Sequence, residues 1–427
     1  MIRRFLILAC AVAGPLAAQD SSSKGGVRLG LTYDGTTRPG IAVIPVRGDR
    51  GDSVRAILQR DLRYGDRVTI VGDNPDELPL VSGEPNFELF TKIGVTGIVV
   101  ATVTPDGLNV KTYDATKKTM QLMGVPLPGA PLSAEWRMSV HKASDAIEQW
   151  ATGVHGIAAT RIAFVRGGKV WHVDSDGENM VPVPGTDGSG SPAWHPSGRY
   201  VAFSMLPDAS SAGGIAIRDL VSGTTKRMTP ASRSGSWQAP VFSPDGATLI
   251  YAYGLDRGTD LWALDWEHGG APKRITGDGS DNTSVTFSPD GRQIAFTSGR
   301  LGNPEVYISD ADGSNAQLLT TRVWGADVQH TNPAWSPDSR LIAYQSRSEG
   351  LFQVITVSPT GKNPTALTSE GQNEDPSWAP DSRHIVFTSR RTGNDQLWIL
   401  DTMSGQARQL THGPAPAKAA AWSAIFK

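Results

Sequence analysis

Two patterns in the 427-residue sequence predict its fold class, a small α/β domain followed by an all-β propeller of six blades. The second half repeats a hairpin of two short strands around a tight turn. At the two ends of the repeating region only half of this hairpin is present, a second strand at the start and a first strand at the end. The first half lacks the repeat and instead alternates short apolar runs with segments of helical spacing. The strand nearest the C-terminus is expected to close the propeller by pairing with the first blade.

Each of the five complete copies of the repeat has an aromatic residue, a turn and a second aromatic residue nine positions later, and a sixth, truncated copy begins at Trp422. Copies lie 43 to 48 residues apart, close to the length of a propeller blade. The turn often reads Ser-Pro-Asp-Gly, which suits a type I turn with Pro at its second position. Two further strand patterns follow each hairpin, so one repeat makes one four-stranded blade. The first aromatic residues are Trp194, Phe242, Phe287, Trp335, Trp378 and Trp422.

The phase of the repeat predicts how the ring closes. Trp422 begins a hairpin that has no second strand after it, whereas Arg161 to Phe164 resembles a second strand with no first strand before it. Pairing these two segments completes a sixth blade and removes an open sheet edge. The propeller is therefore expected over residues 157–427, with six blades rather than seven.

The segment before the ring is expected to fold as an α/β domain over residues 40–156. Its longest helix is predicted from Leu132 to Trp150, with Leu132 on the apolar side and Ser133 as the N-cap. The other predicted elements are strands at 41–46, 68–71, 97–103 and 108–113 and helices at 53–64 and 87–93.

The first residues are typical of an export signal. Arg3 and Arg4 precede a short apolar run, and small residues follow it, which predicts a signal peptide over residues 1–18 cut after Ala18. A buried strand is the weaker interpretation. Cleavage would remove Cys10, and a chain without thiols suits an oxidising compartment. Residues 19–39 are polar and are predicted to form a mobile tail.

Composition excludes several functional classes. The 40 basic and 42 acidic residues balance, which argues against a nucleic-acid partner. A single cysteine excludes an internal disulfide, and no Cys/His cluster indicates zinc. Beyond the signal, no apolar segment is long enough to span a bilayer. We expect a monomer with no membrane span in the mature chain.

The sequence carries no motif of an enzyme. It lacks a Gly-x-Ser-x-Gly elbow, a phosphate loop and a dinucleotide fingerprint, and its eight histidines are scattered. The segments 174–179 and 310–315 begin like calcium loops but have Gly185 and Thr321 where the twelfth-position Glu is needed. Turn chemistry explains them better, and bound calcium stays an open alternative. We therefore expect no catalytic residue, no metal and no cofactor.

The segments before the first strand of each hairpin predict a binding face. They recur at one phase of the repeat, so the ring gathers them at one end of the channel. They are polar and vary between copies, although strand alternation does not require residues such as Trp237 or Glu374 there. Loops on a rigid scaffold commonly recognise partners. Solvated loops without a partner are the alternative.

Two segments carry a resemblance to a known family. Residues 27–45 are similar to the start of the TolB family, and Ala158 to Phe164 is similar to its entry into the first blade. With the order of signal, tail, α/β domain and six blades, the sequence resembles TolB proteins, exported components of the Tol–Pal system. The resemblance implies a non-catalytic periplasmic adaptor between a TolA-like inner-membrane protein and the outer-membrane lipoprotein Pal. Such an adaptor supports outer-membrane integrity and constriction during cell division.

The resemblance also assigns two sets of contact residues. The set implied for a Pal-like lipoprotein at the channel face is Trp237, Gln238, Asn282, Thr283, His330, Thr331, Asn373 and Glu374. The set implied for a TolA-like protein in the tail is Val27, Arg28, Leu29, Leu31, Tyr33 and Asp34. A secreted propeller hydrolase or lyase acting on carbohydrate or peptide is the rival function, and a protein-binding propeller outside the Tol system is a third.

Overall fold

The computed structural model describes residues 38–74, 78, 83–207, 212–230, 235–255, 258–321 and 328–426. Within these ranges the chain forms one five-stranded sheet with three helices, followed by six four-stranded sheets arranged as blades. The predicted fold class, an α/β N-terminal domain before a closed six-bladed propeller, is confirmed.

The N-terminal sheet mixes parallel and antiparallel pairs. Its strand order is β2-β1-β3-β4-β5, with β1 parallel to β2 and β3 and the remaining neighbours antiparallel. The elements are β1 (Gly40–Val43), α1 (Gly51–Tyr64), β2 (Thr69–Ile70), α2 (Phe87–Lys92), β3 (Gly97–Thr104), β4 (Gly107–Asp114), β5 (Thr119–Val125) and α3 (Ala134–Thr152).

Helices α1 and α3 bury one face of this sheet, and α2 covers part of the other. Leu58 of α1 and Ile147 of α3 are fully buried in the first core, and Phe90 of α2 is fully buried in the second. The Ser133 hydroxyl accepts the Trp136 amide at 3.3 Å, as expected for the predicted N-cap.

Two details of this domain differ from the sequence-based expectation. The prediction that Leu132 lies on the apolar side of the last helix is wrong, because the helix begins after Ser133. Leu132 lies before the cap with a φ of 70° and is 44% exposed. Strand β5 was not predicted, because its residues Thr119–Val125 include none that is fully buried and so give a weak apolar signal.

The propeller is built from antiparallel blades of four strands each. The strands are β6 (Arg161–Arg166), β7 (Lys169–Asp174), β8 (Val181–Pro182), β9 (Ser189–Trp194), β10 (Tyr200–Met205), β11 (Gly214–Asp219), β12 (Thr225–Arg227), β13 (Ser236–Phe242), β14 (Thr248–Leu255), β15 (Gly258–Asp265), β16 (Lys273–Arg274), β17 (Asn282–Phe287), β18 (Gln293–Leu301), β19 (Asn303–Asp310), β20 (Gln317–Leu318), β21 (Gln329–Trp335), β22 (Ile342–Ser348), β23 (Leu351–Val357), β24 (Thr365–Ala366), β25 (Asn373–Trp378), β26 (His384–Ser389), β27 (Gln396–Asp401), β28 (Ala407–Gln409) and β29 (Lys418–Trp422).

The first blade is completed by the C-terminal strand, giving the order β29-β6-β7-β8. Trp422 is the register partner of Ile162, and its indole Nε1 donates to Thr160 Oγ1 at 2.8 Å. The Ser423 amide donates to the Arg161 carbonyl at 2.8 Å. The predicted closure is therefore present, and it holds the two ends of the ring together.

A bulge recurs in the innermost strand of every blade. At each bulge the register with the second strand shifts, and one residue has a φ between 44° and 55°. This left-handed conformation is uncommon for residues other than glycine, so its repetition shows that the fold requires it. The six residues are Ser191, Ala239, Ser284, Asn332, Asp375 and Ala419.

Buried charges join the N-terminal domain to the first blade. The Arg137 guanidinium lies 2.6 Å from Asp176 Oδ2, and Arg60 also pairs with Asp176. His141 Nδ1 lies 2.7 Å from Asp61 Oδ2, and neither side chain is more than 1% exposed.

A second charged group joins the domain to the last blade, β25 to β28. Arg67 lies between Glu148, at 3.3 Å, and Asp381, at 3.0 Å. His384 has a carboxylate on each ring nitrogen, with Asp381 at 2.8 Å from Nδ1 and Asp66 at 3.3 Å from Nε2. The N-terminal domain is thus tied by ion pairs to both blades that meet near the closing strand.

These contacts raise the proton affinity of the interface. Burial alone would lower the pKa of His384 and of His141, but the neighbouring carboxylates outweigh it and raise both pKa values. Burial also raises the pKa of Glu148 to about 8, although Arg67 opposes this shift. The folded protein therefore holds protons here that the unfolded chain releases.

Stability is expected to fall as the pH rises. The two histidines contribute fully below their unfolded pKa of 6.5, and the contribution is lost as the pH passes through their raised folded values. Glu148 acts in the same direction. Urea unfolding should show a loss on the order of 1 to 3 kcal/mol between pH 6.5 and about pH 9.

A matched pair of variants isolates this effect. His384→Asn should reduce the pH dependence, leaving the part due to His141 and Glu148, whereas His268→Asn should preserve it, because His268 is 81% exposed. An unfolding free energy that is constant or rises over this pH range would show that the interface does not take up protons.

Candidate partner-binding face at the channel mouth

The predicted contact residues lie at the end of the propeller away from the N-terminal domain. The domain contacts Asp381 in the turn between β25 and β26, and Asp176 in the turn between β7 and β8. In a four-stranded antiparallel blade these two kinds of turn share one end. The segments that enter the innermost strands lie at the opposite end, and they surround the mouth of the central channel.

The eight residues predicted for the channel face form four adjacent pairs at one strand register. Within each pair the first residue is buried and the second is exposed or half-buried, since successive side chains alternate along a strand. The buried residues are Trp237, Asn282, His330 and Asn373, and the accessible residues are Gln238, Thr283, Thr331 and Glu374.

The two buried asparagines organise the loops of this face. Asn282 Nδ2 donates to Asp278 Oδ1 at 2.9 Å, and Asn373 Nδ2 donates to the Glu370 carbonyl at 2.9 Å. Each asparagine oxygen accepts a guanidinium hydrogen bond, from Arg300 at 3.4 Å and from Arg391 at 3.1 Å respectively. These buried side chains fix the loops of the face without being accessible at its surface.

Trp237 and His330 are also held inside the blades. The Trp237 ring packs on Tyr253 with a centroid distance of 4.7 Å, and His330 meets Tyr344 edge-on at 5.3 Å. Burial lowers the pKa of His330, although Glu305 lies 3.8 Å from its Nε2 and opposes the shift. An imidazole that is buried against a tyrosine ring fits a packing role.

Two of the four accessible residues adjoin a cleft of about 590 Å³. Thr283 and Thr331 line it from two neighbouring blades, together with Asp281, Leu255 and Pro304. The cleft combines hydroxyls, one carboxylate and apolar side chains, a mixture that suits the side chains of a protein partner.

The central channel begins directly behind this face. The six bulge residues and their neighbours line a cavity of about 250 Å³. Asp375 Oδ1 accepts from Asn332 Nδ2 at 2.6 Å, and the Asp375 amide donates to Gln345 Oε1 at 2.8 Å. Burial, with Glu374 nearby, raises the pKa of Asp375. Sequence reasoning missed this lining, although a recurring position one residue before Pro192, Pro240, Pro333 and Pro376 marked it.

The segments that resemble calcium loops are held by protein groups. Asp174 Oδ1 accepts from Arg161 at 2.9 Å, and Asp310 Oδ2 accepts from Asn315 at 2.6 Å. Among the described residues, Asp61, His141 and Asp176 could offer ligand atoms within 4.8 Å of one another. Since the guanidinium groups of Arg60 and Arg137 already contact Asp176, this cluster is suited to ion pairs with arginine rather than to a metal ion.

The residues predicted to contact a TolA-like protein are Val27, Arg28, Leu29, Leu31, Tyr33 and Asp34, and they lie outside the described residues. The description begins at Arg38, whose guanidinium is 3.6 Å from Asp66. Within the described ranges, none of the helices combines the length and hydropathy needed to cross a membrane.

The architecture and the face define a class, a β-propeller protein that carries an α/β domain at one end and an open polar rim at the other. The model of the TolB β-propeller domain matches residues 149–426. The chain belongs to the TolB family.

Individual relatives agree with this assignment. The chain is 27% identical to the Tol-Pal system protein TolB of Bordetella parapertussis, over 71% of this chain and 70% of that protein. It is similar to the crystal structure of TolB from Acinetobacter baumannii, with a TM-score of 0.77, 26% identity and coverage of 91% and 97% of the two chains. A likeness to hydrazine synthase of Kuenenia stuttgartiensis, at 14% identity and a TM-score of 0.54 over 64% and 48% of the two chains, shows the fold alone.

Adjacent residues of the face should respond differently to truncation. Asn373→Ala removes the hydrogen bond to the Glu370 carbonyl and one of the two hydrogen bonds of the Arg391 guanidinium, which should cost about 1 to 3 kcal/mol of unfolding free energy. Glu374→Ala, one residue later and half-buried, should change it by about 0.5 kcal/mol or less. Urea denaturation of both variants tests this, and equal losses would contradict the division into buried and accessible positions.

Proposed function

We propose that the chain is a non-catalytic periplasmic adaptor of the Tol–Pal system. It couples a TolA-type protein of the inner membrane to a Pal-type lipoprotein of the outer membrane, and it thereby supports outer-membrane integrity and constriction during division. The observation that carries the proposal is the polar rim at the channel mouth, which the N-terminal domain leaves open. Membership of the TolB family supports the same function.

The accessible half of the predicted residues would contact the lipoprotein. Gln238, Thr283, Thr331 and Glu374 come from four successive blades and occupy one register position. Lys418 holds the same position in the closing strand and adds a cation near Asp375. The buried residues of the pairs would act indirectly, by fixing the loops that present these side chains.

The channel lining favours binding over hydrolysis. A glycosidase uses two carboxyl groups about 5 to 10 Å apart. Among the described residues lining the channel cavity, Asp375 is the one acidic side chain, and Asn332 bonds to it. This supports an adaptor in preference to a carbohydrate hydrolase that works through two carboxyl groups.

Charge and bulk placed in the cleft should weaken lipoprotein binding. Thr283→Arg with Thr331→Arg fills the cleft from both sides and should weaken binding of the Pal-type lipoprotein of the same organism at least about tenfold. Isothermal titration calorimetry measures the change.

The control for this variant is Val221→Arg with Met403→Arg. Both residues are exposed, at 78% and 71%, and both lie in turns at the end that carries the N-terminal domain. The control should bind the lipoprotein with unchanged affinity. Equal affinity of the cleft variant and the control would refute the proposed face.

The proposed TolA-type contact resides in the tail. Deleting residues 27–37 should abolish binding to the periplasmic domain of a TolA-type protein, and it should preserve both lipoprotein binding and the melting temperature. Pull-down with purified proteins and differential scanning calorimetry measure these effects. Retained binding would move the TolA-type contact elsewhere, and a large fall in melting temperature would show that the segment is part of the fold.

A further inference from the structure

The boundaries between neighbouring blades are not all filled in the same way. Between the second blade, β9 to β12, and the third, β13 to β16, four aromatic side chains pack together near the turns that join the first two strands of each blade. The indole of Trp266 is central to this group, since its ring centroid lies 5.1 to 5.6 Å from those of three neighbours. The three neighbours are His195, Tyr200 and Phe242.

The next boundary, between the third blade and the fourth, β17 to β20, holds a cavity of about 380 Å³. The repeat explains this difference, because each of the four aromatic positions has a counterpart one blade further along the chain. The counterparts of His195, Tyr200, Phe242 and Trp266 are, in this order, Ser243, Thr248, Phe287 and Ala311. All four counterparts line the cavity. Three rings are thus replaced by small side chains, and the space that the rings fill at one boundary is open at the other.

One polar group of the filled boundary also has a counterpart in the cavity. The indole Nε1 of Trp266 donates to the Gly246 carbonyl at 2.6 Å. Gly291 takes the place of Gly246 one blade further along and lines the cavity. Ala311, in the place of Trp266, has no side-chain N–H to donate to it. The cavity therefore keeps the acceptor of an indole but does not contain the indole.

The charge around the cavity is mainly negative. Among the described residues that line it, Asp245, Asp290 and Asp312 are acidic and Lys273 is basic. Each carboxylate accepts a hydrogen bond from a serine hydroxyl two residues away, which lowers the pKa of the carboxyl and keeps it ionised at neutral pH. Lys273 acts on Asp312, and the Arg292 guanidinium lies 3.9 Å from Asp290, whereas the groups that shift the pKa of Asp245 include no cation. The excess of carboxylate favours a ligand with a positive charge.

We propose that this cavity binds a small aromatic amine, an indole ring that carries a cationic amino group on a short chain. The ring would lie against Phe287, as Trp266 lies against Phe242 at the neighbouring boundary, and its N–H would donate to the Gly291 carbonyl. The ammonium group would lie beside Asp245. The volume is within the range of pockets that bind small molecules, and most of the remaining lining is apolar.

The cavity is separate from the other surfaces of the molecule that bind a partner or the N-terminal domain. The N-terminal domain contacts Asp176 in the first blade and Asp381 in the last, whereas the cavity lies between the third blade and the fourth. The turns at 243–246 and 288–291 border it, so it is at the end of the ring opposite the channel mouth. Ligand binding here can therefore be measured independently of lipoprotein binding.

Tryptamine is the probe, because it combines the ring with the charge. Isothermal titration calorimetry with the full-length protein should give one site per chain and a Kd of about 1 mM or lower. Indole-3-propionate has the same ring on an anionic chain and should bind at least about fivefold more weakly. 1-Methyltryptamine lacks the ring N–H and should bind about threefold more weakly or worse.

A variant that fills the cavity identifies the site. Ala311→Trp gives the fourth blade the residue that fills the neighbouring boundary, so it should abolish tryptamine binding without lowering the urea midpoint of unfolding. Met403→Trp adds the same side chain where it is 71% exposed and should leave binding unchanged.

A second pair of variants tests the charge without adding bulk. Asp245→Asn with Asp312→Asn keeps an oxygen for each serine hydroxyl but removes two negative charges, and it should weaken tryptamine binding about fivefold. Asp187→Asn with Asp338→Asn removes two carboxylates that do not line the cavity, and it should leave binding unchanged.

Four results would overturn the proposal. The first three are the absence of tryptamine binding up to about 5 mM, unchanged binding by a folded Ala311→Trp variant, and equal affinity for tryptamine and indole-3-propionate. The fourth uses the peptide N-acetyl-Lys-Trp-Lys-amide. If this peptide binds more tightly than tryptamine and Ala311→Trp abolishes its binding, the cavity holds a tryptophan of a partner protein and not a small molecule.

Discussion

The pairing of β29 with β6 is the contact on which the rest of the architecture depends. It makes a ring from five continuous blades and one blade shared between the ends of the repeating region. It also determines where the N-terminal domain sits, because that domain bonds to Asp176 in the first blade and to Asp381 in the last. Arg408 joins the same two blades, since it donates to the Ser175 carbonyl at 2.9 Å while its guanidinium lies 3.9 Å from the Tyr64 ring. The domain therefore spans the seam of the ring.

Buried charge makes that position specific. Removing ions from water is costly, and a buried pair recovers the cost only when its partners lie in the right geometry. Asp176 obtains Arg60 and Arg137, Asp381 obtains Arg67, and His384 obtains Asp66, only when the domain occupies this one place on the ring. An apolar interface would tolerate sliding more readily. The ion pairs thus fix the orientation of the domain at one end of the propeller and keep the other end open.

The parts of the structure that the sequence predicted are those with local causes. Ser243 bonds to Asp245 and to the Thr248 amide within a single turn, so the hairpin repeat is visible in a short stretch of sequence. The charged interface was not predicted, because Arg67 and Asp381 are 314 residues apart and no spacing rule joins them. For the face, the repeat phase predicted the end of the ring where eight residues gather. It did not predict which of them are buried, since this depends on how neighbouring blades pack on each side of a strand.

Three successive residues of an innermost strand serve three different purposes. In the last blade Asn373 is buried and holds the loop, Glu374 is accessible at the rim, and Asp375 turns into the channel at the bulge. Alternation separates the first residue from the second, and the left-handed bulge redirects the third. Because the rim residue has little part in blade packing, it can vary between blades without loss of the fold. This explains why Gln238, Thr283, Thr331 and Glu374 differ in chemistry although the strands that carry them are alike, and why a propeller of regular blades can present an irregular surface to a partner.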